Sequence, residues 1–133
     1  MLVEQCNIRA LIDNNRESII TLMKEEVSSK NYFAGLNIPP EQIIDMVVKD
    51  YLETIVICYE TGSLSTFQEK LDWFYPMYQS RKGADHPPAN NSEFFRFLRT
   101  MLLARCGSVD LKLAETLDQM EALIARYESG ESQ

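Results

Sequence analysis

The residues that most often carry chemistry in proteins are scarce in this sequence. It contains one histidine, His86, and three cysteines, Cys6, Cys58 and Cys106, which lie far apart in the chain. No C-x-x-C pair, H-E-x-x-H motif or EF-hand loop is present, so the common metal-binding patterns are excluded. Glycine-rich phosphate-binding motifs are also missing. We therefore expect no metal, no cofactor and no enzymatic activity.

Long apolar runs and an excess of positive charge are missing as well. No apolar run approaches the roughly 18 residues that a membrane span needs, and no signal-peptide core opens the chain. An odd number of isolated cysteines is typical of a reducing compartment, so we expect a cytoplasmic protein. The net charge of −7 disfavours binding to nucleic acid and to anionic membranes, because phosphate groups repel it.

What is present is apolar periodicity of about 3.6 residues along most of the 133-residue chain. It predicts one all-α domain over residues 1–127, either globin-like or an orthogonal bundle of five to six helices, followed by a frayed tail at 128–133. Asp13 to Asn15 is expected to separate two helices, Gly62 to end a long apolar helix, and Pro76 to kink or break the next one. The predicted helices cover residues 2–12, 15–29, 41–60, 66–81, 92–106 and 109–127.

Aromatic residues are concentrated in two consecutive predicted helices. Trp73, Tyr75 and Tyr78 accompany Phe67 and Phe74 in one, and the next contains Phe94, Phe95 and Phe97. Such a cluster is either part of the core or the wall of a pocket for a small apolar ligand. If a haem or tetrapyrrole were bound instead, the candidate binding residues would be His86, Trp73, Tyr75 and Tyr78.

The last predicted helix has an apolar seam with spacings of four and three residues, as in a coiled coil. The seam either packs on its own domain or contributes to a homodimer contact, and Leu111 and Leu123 lie beside it. Its members are Leu113, Leu117, Met120, Ile124 and Tyr127.

Three arginines, Arg96, Arg99 and Arg105, follow one another along the predicted helix 92–106. They are either surface residues in salt bridges or contacts for an anion or a partner. At the C-terminal end of the helix, a cation such as Arg105 is also favoured by the helix dipole.

The order of these segments resembles the N-terminal domain of RsbR-type stressosome regulators, which are related to non-haem globin sensor domains. The resemblance spans residues 2–127. It rests on the short first helix, on Asn15-Arg16-Glu17 before Ile19-Ile20, on the long apolar helix, and on Arg81-Lys82-Gly83 before the arginine-bearing helix.

The resemblance implies a dimeric, globin-like domain without haem that senses a signal and presents it to a partner protein. In that family the last helix leads into a second signalling domain, often of the STAS type, whereas this sequence stops at Gln133. The expected function is therefore a non-enzymatic sensory or regulatory module that dimerises and binds a partner signalling protein, gated by a small apolar ligand. The alternative is a globin-like haem or tetrapyrrole-binding protein.

Overall fold

The computed structural model describes residues 7–30, 39–82, 91–105 and 111–128. Over these ranges every regular element is helical and no strand occurs, so the predicted all-α class is confirmed. The elements are α1 (Ile8–Ser29), α2 (Pro40–Ile43), a π-helical segment (Ile44–Val48), α3 (Lys49–Thr61), α4 (Ser65–Lys82), α5 (Asn91–Arg105) and α6 (Leu111–Glu128).

The α2, π-helical and α3 segments form one continuous rod. The backbone keeps right-handed helical dihedral angles at Ile43, Val48 and Lys49, where the segments join. Thus the described residues form five rods, which agrees with the expected five to six helices. The rod ends at Gly62, as predicted, because glycine readily adopts the left-handed conformation observed there (φ 73°).

Helix α1 is uninterrupted, so the predicted break at Asp13 to Asn15 is wrong. The helix instead begins after Asn7, whose side chain accepts a hydrogen bond from the Ala10 amide. The Asn15 side chain donates to the Leu11 carbonyl, 2.8 Å away, without breaking the helix. Residues of this kind are only mildly unfavourable in a helix, and burial of the apolar face outweighs that preference.

Helix α4 likewise continues through Pro76, so the break that was one of the two predicted effects of this proline does not occur. Pro76 is exposed, so its ring points away from the packed side of the helix. The opposite side carries Phe67, Leu71 and Tyr75, all buried. Their burial stabilises the part of the helix that leads up to the proline, because packing of an apolar face supplies most helical stability in proteins.

The core lies where α3, α4, α5 and α6 meet, and α1 packs against α5 and the long rod. The Tyr51 ring contacts the rings of Phe67 and Phe95 edge to face, at centroid separations of 5.7 and 5.6 Å. Phe94 also lies in this group, 6.3 Å from Tyr51. All three phenylalanines are fully buried, so this part of the predicted aromatic cluster is core.

Candidate functional site

The most distinctive surface feature is a groove between the π-helical segment and α4. Its volume is about 460 Å³, within the range typical of ligand sites. Tyr51 and Leu71, both buried, form its floor, whereas Met46 and Trp73 stand at its rim, 50% and 64% exposed. The full lining is Met46, Val47, Asp50, Tyr51, Thr66, Glu69, Lys70, Leu71, Trp73 and Phe74.

Two large exposed side chains at one groove are unusual, because apolar groups of this size are normally withdrawn from water. The Trp73 ring and the exposed half of the Met46 side-chain surface form an apolar surface directly above the core. Tryptophan and methionine are enriched in protein interfaces, and methionine adapts its shape to different partners. The exposed pair therefore makes this groove the leading candidate for a binding site.

The π-helical segment gives the groove one of its walls. In a regular α-helix, successive side chains are rotated by about 100° around the helix axis. A π segment adds one residue to a turn, which changes the side chains that face a neighbouring helix. Here Ile44 and Val48 are buried while Met46 between them faces solvent. Segments of this type often occur at functional sites.

An ion pair crosses the groove. Lys70 Nζ lies 2.6 Å from Asp50 Oδ1, and both side chains are a little more than one-third exposed. A partly exposed pair contributes at most about 1 kcal/mol. Its clearer effect is positional, since it ties α4 to α3 at the middle of the groove while leaving Glu69 exposed beside it.

A second groove, of about 590 Å³, lies between α1 and α3. Its rim is mainly charged, with Arg9, Arg16, Lys49 and Glu53 among its lining residues. Arg9 is already paired with Glu60 at 2.8 Å. Since no large exposed apolar side chain lies there, this groove is the weaker candidate despite its size.

Of the four predicted cofactor residues, the structure describes the side chains of Trp73 and Tyr75, which face different sides of α4. Trp73 faces the groove, whereas Tyr75 lies on the inner side of α4 and stacks on Tyr127 with centroids 5.4 Å apart. The pKa of Tyr75 is raised mainly by burial, and the nearby Glu128 carboxylate raises it further. His86 and the side chain of Tyr78 lie outside the described residues.

The apolar seam on α6 follows the first of its two predicted alternatives and packs on its own domain. Four of its five side chains are fully buried within the chain, and Tyr127 is 8% exposed. The helix contacts α3, α4 and α5, which cover these side chains. The residues concerned are Leu113, Leu117, Met120, Ile124 and Tyr127.

Glu128 is the last residue of α6 and not part of the frayed tail that the sequence pattern predicts. Its side chain has a structural role. Its carboxylate accepts hydrogen bonds from the backbone amides of Asn91 and Ser92, at 2.5 and 3.2 Å. The negative charge thus lies at the N-terminus of α5, where the helix dipole favours it. Residues 129–133 lie outside the described part of the chain.

Nearby, Tyr127 donates a hydrogen bond to Asp72, so the end of α6 is tied to α4 as well. Burial raises the pKa of Tyr127 to about 12, and the contact with Asp72 contributes. No local sequence pattern predicts these bonds, because they join residues more than 30 positions apart.

The arginines of α5 are held by neighbours within the chain. Arg96 and Arg99 both contact Glu121, at 3.0 Å each, and Arg99 also pairs with Asp118 at 2.6 Å. Arg105 donates to the Ser18 hydroxyl at 2.9 Å. Arg96 and Arg99 are therefore in salt bridges, which was one of the two predicted alternatives. An anion that binds at this helix would have to displace the carboxylates of Glu121 and Asp118.

Within the described ranges, no group of three or more His, Cys, Asp or Glu side chains is arranged to hold a metal. The helices of this part of the chain also include none that is both long and apolar enough to cross a bilayer. Cys58 is buried, and burial raises the pKa of its thiol, which disfavours the reactive thiolate.

Comparisons with protein-family models, with curated proteins and with solved structures yield no significant match. The site must therefore be interpreted from its own geometry.

Proposed function

We propose that this chain is a non-enzymatic regulatory module that binds a partner protein in the groove between the π-helical segment and α4. The observation that carries the proposal is the exposed pair Met46 and Trp73 above a buried floor. Large anchors of this kind supply most of the binding energy in protein interfaces. The resemblance to stressosome sensor domains agrees with such a role and suggests signalling, including a stress response, as its setting.

A protein segment suits the groove better than a small molecule does. Small-ligand sites typically enclose 70–90% of the ligand surface, whereas Trp73 at the rim here is 64% exposed. A small apolar ligand remains part of the proposal only as a regulator that competes with the partner for Trp73. A haem or tetrapyrrole is not proposed, because Trp73 and Tyr75 face opposite sides of α4.

Homodimerisation is not the proposed use of the groove. Two copies that each carry a net charge of −7 repel one another, and the α6 seam that suggested a dimer is buried. Cytoplasmic localisation remains part of the proposal, supported by the three separated cysteines.

Site-specific photocrosslinking tests the proposal. A benzophenone amino acid would replace Met46 in one variant and Leu111, which is 71% exposed but outside the groove, in a matched control. In extracts of the source cells, we expect a discrete crosslinked partner from position 46 and not from position 111. The same products from both positions, or none from position 46, would contradict the proposal.

A further inference from the structure

We infer that the groove recognises an amphipathic helix that carries a basic residue beside its apolar face. This inference rests on the proposed function and names the chemistry of the partner. It follows from the length of the groove, from its apolar anchors and from its unbalanced charge.

The length of the groove matches two turns of helix. Along α4 its wall runs from Thr66 to Phe74, with Glu69 and Lys70 between them. Eight residues of α-helix advance the chain by about 12 Å. A helix that docks in a groove typically uses apolar anchors at positions i, i+3, i+4 and i+7, which span about 10 Å and fit within this wall.

The charges of the groove favour a cation. Its charged lining residues are Asp50, Glu69 and Lys70, and the Asp50–Lys70 pair at 2.6 Å leaves Glu69 without a partner among the described residues. The chain as a whole carries a net charge of −7, which attracts a basic segment from a distance. A lysine or arginine at the edge of the docked helix would lie close to Glu69 and complete the charge balance.

Titration with two synthetic peptides of equal length tests this inference. Both carry leucines at helical spacing, and the remaining positions are mainly lysine in one peptide and glutamate in the other. Trp73 is the single tryptophan of the chain, so its emission reports the groove directly. We expect the lysine peptide to shift the Trp73 emission to shorter wavelength, and the glutamate peptide to leave it unchanged.

Three variants locate the charge effect. Glu69→Lys should lower the affinity for the lysine peptide by about fivefold, because an exposed ion pair with the peptide is lost and a repulsion between like charges is added. Glu115→Lys makes the same change at an exposed position on α6 outside the groove and should alter the affinity by less than about twofold. Lys70→Met frees Asp50 and should tighten binding by about fivefold, a gain that misfolding does not produce.

The outcomes separate this inference from the proposed function. Equal binding of both peptides, or equal effects of Glu69→Lys and Glu115→Lys, would overturn the inference that the groove selects a basic helix. A crosslink at position 46 would still support the proposal that a partner protein binds there. If neither peptide binds but the neutral dye N-phenyl-1-naphthylamine shifts the Trp73 emission, the groove takes small molecules and the inference is wrong. A Trp73 shift that appears on concentrating the protein alone would make a second copy the occupant, which also overturns it.

Discussion

The two faces of α4 place large apolar side chains in opposite environments. On the inner face, Phe67 and Leu71 are buried to within 2% of complete coverage, whereas on the outer face Trp73 is 64% exposed. The inner side chains pack against α3 and α6 and hold the domain together. The outer one lies mostly in solvent, where the proposed partner would cover it. Stability and binding should therefore respond to different substitutions.

The largest effect is expected in the core. Phe95→Ala removes a fully buried ring that contacts Tyr51 and Phe67, and should lower the free energy of unfolding by about 3–5 kcal/mol. Urea denaturation followed by circular dichroism measures the change. A loss of less than about 1 kcal/mol would mean that this aromatic group is not the centre of the core.

The free energy of unfolding should next respond to alkali. Because the pKa of Tyr127 rises from 10.0 to about 12 on folding, this tyrosine keeps its proton in the folded chain while the unfolded chain releases it. The contribution of Tyr127 to the free energy of unfolding is therefore complete below pH 10. It is lost as the pH rises from 10 towards 12, by up to about 1.4 kcal/mol per pH unit.

Denaturation curves at a series of pH values measure this loss. Tyr127→Phe serves as the comparison, because phenylalanine keeps the ring and does not ionise. The slope in this variant should be shallower than in the wild type. An identical slope would show that Tyr127 does not contribute to the alkaline transition.

A smaller effect is expected where α6 meets α5. Glu128→Ala removes the carboxylate that accepts hydrogen bonds from Asn91 and Ser92, and should cost about 1–2 kcal/mol. Glu115→Ala, on an exposed position of the same helix, is the matched control and should change the free energy of unfolding by less than about 0.5 kcal/mol. Equal effects of the two substitutions would show that Glu128 has no capping role.

The smallest effect on stability is expected at the groove. Met46→Ser combined with Trp73→Ser should change the free energy of unfolding by less than about 1 kcal/mol, because both side chains are at least half exposed. Thermal unfolding by calorimetry measures it. A loss comparable to that of Phe95→Ala would place these side chains in the core and remove the distinction between the two faces.

Much of this architecture follows from local pattern. The spacing of apolar residues predicts helix in each of the five rods, although it divides α1 into two helices. Gly62 ends the long rod because a helix stop needs the left-handed backbone that glycine allows. Four charged residues that share one face of that rod at helical spacing, Asp45, Lys49, Glu53 and Glu60, are all exposed. These features depend on neighbours within one or two turns.

The errors arise where distant contacts outweigh local preference. Asp13 to Asn15 are unfavourable in a helix, yet α1 continues, because its buried face resumes on either side of them. At Pro76 the predicted break does not occur. The π-helical segment and the bonds of Glu128 have no local signal. A pattern for the groove did exist: Trp73 lies off the apolar spacing formed by Phe67, Leu71 and Phe74, which indicates an exposed position.

Quenching of Trp73 fluorescence by acrylamide tests most directly whether the groove is a protein-binding surface. In the free chain, we expect strong quenching, as for a solvent-exposed indole. After addition of the partner that crosslinks to position 46, quenching should fall to the level of a buried tryptophan. Quenching that saturating partner leaves unchanged would contradict the assignment of this groove as the binding site.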